Sequence, residues 1–156
     1  MFVQRSILKL FLALFVLTFA LVWVAPDADA RQQTAGRSLY ERLGGYNAVA
    51  AVVDDFIARL AADPQLQKFL VGLSTDSKKK LRQHVLNQFC QATGGPCLYT
   101  GRDMKTSHAG LGITEKEWDA GAKHLVASLD KFKVPEREKS EVVAFVQSLK
   151  KDIVEK

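Results

Sequence analysis

The sequence lacks alternating apolar and polar runs of any useful length, and it has no internal repeat and no low-complexity tract. Sheet-based and repeat architectures are thereby set aside. Cysteine is scarce: only Cys90 and Cys97 occur. Two thiols do not make a structural zinc centre, and their spacing is not the C-x-x-C-H of covalent haem attachment. There is no phosphate-cradling glycine loop, no Ser-His-Asp order, and no flavin or nicotinamide module to supply reducing equivalents. Asp54 and Asp55 occupy adjacent helical positions that face different ways, so they are not an acid/base pair. No nucleic-acid module and no interleaving of aromatic with basic residues is present, which argues against a nucleic-acid partner.

What is there begins at the N-terminus. Arg5 and Lys9 lead into the apolar run Leu10 to Ala25, Pro26 breaks it, and Ala28-Asp29-Ala30 offers small residues where a signal peptidase reads. Residues 1–30 therefore read as a secretory signal. The alternative is an uncleaved anchor, for which the run is slightly short of the roughly 20 residues a span needs. Both place the rest of the chain outside the cytoplasm, either periplasmic or anchored in the inner membrane with membrane contact through residues 1–30 alone. Residues 31–37 read as a linker and 38–156 as one domain. The leader carries two basic and two acidic residues, so the remainder keeps the net charge of +5. The run Lys78-Lys79-Lys80 suits a solvated helix start or an anion-facing rim. In an oxidising compartment Cys90 and Cys97 can close a disulfide across the Gly94-Gly95 turn; two free thiols are the other possibility.

The periodicity of the domain is helical throughout. Ser38 with Glu41 has capping-box spacing before a short helix that Gly44-Gly45 stops. Val49, Val52, Val53, Phe56, Ile57 and Leu60 follow the i, i+3, i+4 pattern, with Asn47 as cap and Asp63-Pro64 as terminator. Leu66, Phe69 and Leu70 suggest one further turn. A helix capped by Ser77 carries Leu81 to Phe89, and a short turn presents Met104 and His108. Thr114 and Glu117 repeat the capping-box spacing ahead of Trp118, Ala122, Leu125, Val126 and Leu129. After Val134-Pro135, one last amphipathic helix carries Val142, Val143, Val146, Leu149 and Ile153. The fold class is all-α.

The stretch from Leu81 to Ile113 concentrates the chemistry, with two of the three histidines, both cysteines and the one internal methionine. His84 shares a helical face with Leu81, Val85 and Gln88, so its imidazole points where apolar neighbours pack and needs a partner. His108 lies in a glycine-flanked turn. A metal or a flat metal-bearing cofactor between the two is one solution; a backbone carbonyl or a water for each ring is the other. His124 reads as structural.

LYERLGG, AVVDDFIARLAADPQL, GGP-x-x-YTGRDMKTSHAGLGIT and the closing VP…IV resemble the group I truncated haemoglobins, from about Leu39 to Val154. The resemblance implies a two-over-two helical sandwich holding non-covalent haem b. By position it implies that His108 is the proximal iron ligand, that Met104 packs on the porphyrin and that Tyr99 lies near its edge. Phe56, Phe69, Leu70, Leu81, Val85, Phe89, Ile113 and Trp118 fall at pocket-lining positions.

Departures from the family pattern shape the functional expectation. Many members have a tyrosine on the second helix and a glutamine on the distal helix; here those positions read Ile57 and Val85, which cannot donate a hydrogen bond. Leu81 occupies a further distal position. His84 stands where some cyanobacterial members bring a distal histidine onto the iron. The resemblance thus implies an iron ligated by His108 and reversibly by His84, with an outward-swung His84 as the alternative. The function expected is binding of diatomic gases (O2, NO, CO). An electron-transfer haem protein, or an enzyme of the NO dioxygenase or peroxidase type served by an external reductant, is the alternative. A haem-free helical interaction domain is the third possibility.

Overall fold

The computed structural model describes residues 36–156, and the signal or anchor read at 1–30 and most of the 31–37 linker lie outside the described residues. These residues are helix or loop, with no strand among them. Among the described residues seven α-helices follow in order: α1 (Leu39–Arg42), α2 (Gly45–Ala62), α3 (Thr75–Ala92), α4 (Met104–His108), α5 (Glu115–Lys131), α6 (Glu136–Ser148) and α7 (Lys150–Ile153), with a 3-10 turn at Gln67–Phe69 between α2 and α3. Among the described residues no helix is long and apolar enough to cross a membrane.

Helix α2 is the hub. It packs against α3 on one side and α5 on the other, α6 packs on α5, and α1 bridges α2 and α6. The core between these pairs holds Val49, Val52 and Val53 from α2, Leu86 and Phe89 from α3, Leu125 and Leu129 from α5, and Val142 from α6. These residues recur at three- and four-residue intervals, so each helix buries one stripe and keeps its charges in water.

Polar ties set the angles between helices. Arg42 on α1 donates to Glu138 on α6 at 2.9 Å and also pairs with Glu141. Asp55 on α2 accepts from Lys131 (2.5 Å), Arg59 (2.6 Å) and Ser128 (2.8 Å), and Lys131 and Ser128 belong to α5. The Lys131 ammonium, then Arg59, hold its carboxyl far below the usual carboxylate range. At the start of α5, Glu117 closes the capping box with Thr114 and takes Lys68 from the 3-10 turn at 2.5 Å. The Lys68 ammonium and the Thr114 amide and hydroxyl push its carboxyl from 4.5 down to about 2.

The capping boxes expected at Ser38/Glu41 and Thr114/Glu117 are both present. Three boundaries differ from the sequence reading. Helix α2 begins at Gly45 behind Gly44, not at Asn47, because Gly44 adopts φ +97° and turns the chain directly out of α1. Ser74, not Ser77, caps α3: its Oγ accepts from the Ser77 N–H at 3.1 Å. The closing helix is two, because the Leu149 N–H bonds the Val146 carbonyl three residues back, tightening the chain before α7. Arg37, assigned to the linker, is tied to the domain through the Glu41 carbonyl and the Arg42 guanidinium.

Leu86 is fully buried. Leu86→Ala is expected to lower the unfolding free energy by about 3 kcal/mol in urea titrations, from lost transfer energy and the cavity left behind. Because the Glu117 carboxyl titrates lower folded than unfolded, its contribution is full above pH 4.5 and is lost as pH falls toward 2. Glu117→Gln should flatten the pH dependence of stability across that window and leave it unaltered at pH 6 to 8.

Candidate functional site

Helix α4 is five residues long and exists because its ends are tied. Asp103 caps it, accepting from the Thr106 N–H at 2.7 Å and the Thr106 hydroxyl at 3.0 Å. These bonds, the amide first, hold the Asp103 carboxyl below its ordinary range. At the other end the His108 Nδ1 lies 2.8 Å from the Met104 carbonyl oxygen. A carbonyl can only accept, so Nδ1 carries a proton, and the tautomer this bond selects has its lone pair on Nε2. This orientation is the one metal-ligating histidines commonly show: one nitrogen donates to a fixed acceptor and the other is left for the metal. Met104 and His108 are both half-buried.

The second half of the site is on α3. His84 is half-buried, and its Nδ1 is one of two buried side-chain nitrogens among the described residues without a hydrogen-bond partner; the other is Nε1 of Trp118. The Tyr99 ring meets His84 edge-on, 6.0 Å between centroids at 80°. Tyr99 is itself pinned at both ends. Its backbone N–H donates to Gln91 Oε1 at 2.6 Å, and its hydroxyl donates to the Arg102 carbonyl at 2.5 Å. A Cβ at position 101 would fall 2.4 Å from that hydroxyl, so glycine is required where the ring folds back over the loop. Burial pushes the Tyr99 phenol up and keeps it protonated. The loop is closed by a disulfide between Cys90, fully buried on α3, and Cys97, with 5.7 Å between Cα atoms. Of the two states the sequence leaves open, the structure has the bridge.

The remaining residues of the sequence reading differ in burial and in partners. Phe56, Ile57 and Val85 are half-buried and pack on the core cluster. Leu81, Phe69 and Leu70 are also half-buried, while Ile113 and Trp118 are buried. Phe89 sits in the core proper, edge-on to Phe145 at 5.8 Å, and lines an apolar cavity of about 150 Å³ with Val49, Val53, Leu129 and Val142. His124 is committed to Asp63, Nε2 to carboxylate oxygen 2.7 Å. Among the described residues no three His, Cys, Asp or Glu side chains gather around one point. A metal held by His108 or His84 must therefore bring most of its ligands with it, as a porphyrin does.

Three contributors escape the sequence reading. Asp103, three residues before Thr106, has the spacing of an N-cap and was findable. Gln91 reaches eight residues ahead to Tyr99, and Glu155 reaches back more than forty residues to Gly110 and Gly112. No local pattern announces either.

The family model described as bacterial-like globin matches residues 38–155. A group 1 truncated haemoglobin of Mycolicibacterium paratuberculosis is 36% identical over 116 residues, covering 74% of this chain and 83% of the relative. One from Nostoc commune is 40% identical over 88 residues, 56% of this chain and 72% of the relative. Among solved structures, the truncated haemoglobin of Tetrahymena pyriformis in its Fe(III) form superposes with a TM-score of 0.70 at 28% identity, over 77% of this chain and all of that one. The 2/2 haemoglobin of a Synechococcus species, in the cyanomet state with covalently attached haem, gives 0.68 at 32% identity, over 76% and 98%.

Closing a loop with seven residues of sequence separation removes unfolded-state entropy. Reducing the Cys90–Cys97 bridge is accordingly expected to lower stability by roughly 2 kcal/mol. Amide exchange at Tyr99, whose N–H is held only while the loop stays against Gln91, should accelerate together with it. Unchanged exchange at Tyr99 in Cys97→Ser would show that the loop is held without the bridge.

Proposed function

Since the chain belongs to the bacterial-like globins, and among them to the group 1 truncated haemoglobins, we propose that it is a non-covalent haem b protein binding diatomic gases at iron held by His108. His84 is its reversible second ligand. The observation that carries this reading is the commitment of His108 Nδ1 to the Met104 carbonyl, which leaves Nε2 as the ring's one available lone pair. The second part is supported by the place of His84 on an otherwise apolar helical face; unlike His108, its Nδ1 has no acceptor in the chain, so the ring is not pre-set and its ligation is reversible. An unpaired buried nitrogen costs about 1–3 kcal/mol, which leaves this ring short of a partner the polypeptide does not supply.

Haem, when bound, would supply an iron centre that takes exchangeable ligands and undergoes reversible one-electron redox chemistry. The chain's own residues decide how that centre is used. His108, its proton fixed on Nδ1, offers a neutral and oriented nitrogen, and the carbonyl behind it raises the basicity of that nitrogen. Met104 and Trp118 contribute apolar surface. On the opposite side Ile57, Leu81 and Val85 exclude water and provide no hydrogen-bond donor. The Tyr99 hydroxyl does not replace one, because it is already spent on Arg102. His84 is then the one polar group that this reading puts on the distal side, and a gas would compete with it for the iron. Such a site disfavours tight dioxygen storage and favours nitric oxide handling, sensing or electron exchange.

The second reading, an extracytoplasmic bis-histidine electron carrier, is favoured by the same pairing of an apolar wall with a half-buried imidazole. The Cys90–Cys97 disulfide supports an oxidising compartment, in line with the basic, apolar, A-x-A leader of residues 1–30. An enzymatic use, as an NO dioxygenase or a peroxidase-like catalyst, needs an unidentified external reductant or redox partner.

Optical spectra of the full chain after hemin addition test the proposal. The ferric and dithionite-reduced forms should both be low-spin, with sharp ferrous visible bands. His84→Leu should give a five-coordinate ferrous spectrum, and an unchanged six-coordinate spectrum would sink the role given to His84. His108→Ala should lose hemin far faster than His84→Leu does; equal retention would mean that the two roles are reversed.

A further inference from the structure

The turn that leaves His108 keeps two main-chain bonds to its own helix, Ala109 N–H to the Lys105 carbonyl at 3.0 Å and Leu111 N–H to the His108 carbonyl at 3.1 Å, and needs more than these to hold its direction. Ala109 is already outside helical geometry, at φ −55° and ψ 128°, and α4 has only five residues. A helix that short has little stability of its own. Beyond it Gly110 and Gly112 adopt φ of +79° and +64°, conformations that side-chain-bearing residues rarely take. The pair of left-handed residues aims both amide N–H groups at one point.

Glu155 occupies that point. Its Oε1 accepts from Gly110 N–H at 2.8 Å, and its Oε2 accepts from Gly112 N–H at 2.5 Å. The main chain of the same segment reinforces the contact. Glu155 N–H and Lys156 N–H both donate to the Ile113 carbonyl, at 2.8 and 3.3 Å, and Glu115 N–H donates to the Lys156 carbonyl at 3.1 Å. Lys150 at the start of α7 pairs with Glu115, and α7 packs along α4. The two glycine amides keep the Glu155 carboxyl ionised by holding it below its ordinary range. Charge-assisted bonds of this kind are about twice as strong as neutral ones. Around His108, then, one side is set by Asp103 and the Met104 carbonyl, and the other by a carboxylate brought from the segment that follows the last helix.

We propose that Glu155 is the positioning residue for His108: by seating its carboxylate on the Gly110 and Gly112 amides, it fixes the direction in which the His108 imidazole presents Nε2. This rests on the haem reading of the same site. It differs from a purely stabilising role, because it makes the bond from His108 to iron, and not only the stability of the fold, depend on a side chain that touches neither.

The test uses the full chain reconstituted with hemin, in a His84→Leu background so that the ferrous iron keeps a single protein ligand. Glu155→Ala should shift and broaden the iron–histidine stretching band in resonance Raman spectra. It should also speed hemin transfer to apomyoglobin by about tenfold, the scale on which outer-shell partners of a metal ligand act. Glu155→Gln keeps one acceptor oxygen and should fall between the two. An unshifted band in Glu155→Ala, even with faster hemin loss or lower stability, overturns the proposal and leaves Glu155 as a structural clamp. In the hemin-free chain, nitrogen-15 NMR reads the same orientation without haem. The His108 Nδ1 proton should exchange slowly in the native chain and lose its protection in Glu155→Ala; equal protection overturns the proposal. Absence of a Soret band in the native chain with added hemin would defeat the haem reading, and the NMR comparison would still decide the role of Glu155.

Discussion

The two-sided burial of α2 is the constraint from which the rest follows. A helix that packs one flank on α3 and the other on α5 must carry a broad apolar stripe, and Val49, Val52 and Val53 supply it. β-Branched residues have few rotamers to lose, so their burial orders the core at small entropic cost. Once α2 is seated, α3 is fixed through Leu86 and Phe89, and with it the direction of His84. Asp55, near the middle of α2, then locks the crossing with α5 by gathering Lys131 and Ser128 from that helix. The charges lie at the edges of the apolar contact, where they set angles and register and leave the free energy of burial to the side chains between them.

That core reaches α3 and α5 and stops short of the element bearing the other histidine. Helix α4 contributes no buried residue, and its principal neighbour is α7. Its conformation is assembled from polar contacts: the Asp103 cap, the ring-to-carbonyl bond of His108, and the carboxylate of Glu155. The two histidines are thus held by different physics. His84 inherits the rigidity of an 18-residue helix in a packed core. His108 depends on a few directional bonds whose geometry can be altered one at a time without disturbing that core.

This division explains how much was legible in the sequence. The helices of the core advertise themselves through spacing, and both capping boxes appear in the residues themselves, because each depends on contacts three or four positions apart. Asn47 and Ser77 misled for the same reason: either residue is a good cap, but the choice belongs to the backbone. The left-handed conformation of Gly44 starts α2 early, and Ser74 was better placed than Ser77 to reach a free amide. His84 and His108 stood out by residue type and apolar neighbours, and the likeness of YTGRDMKTSHAGLGIT to a known family supplied the haem that no periodicity could. Glu155 and Gln91 could not be read. Their side chains act only after distant segments have come together, and a lone glutamate near a basic terminus carries no mark of its acceptor role.

The polar groups of the site are nearly all spoken for by the chain. Tyr99 spends its hydroxyl on Arg102 and its amide on Gln91; His124 spends its ring on Asp63; His108 spends Nδ1 on Met104. What is left over is specific: the lone pair of His108 and the orphaned nitrogens of His84 and Trp118. In a folded domain, buried polar atoms without partners are few, and each calls for an explanation. A flat metal-bearing cofactor of the kind proposed would give both histidines a partner, whereas the Trp118 N–H, a donor only, would still need an acceptor. The same arithmetic accounts for the chemistry proposed. A site whose donors are already satisfied internally would have nothing to offer a polarised ligand except His84, which is why the proposal makes that side chain the control point for ligation and for gas access.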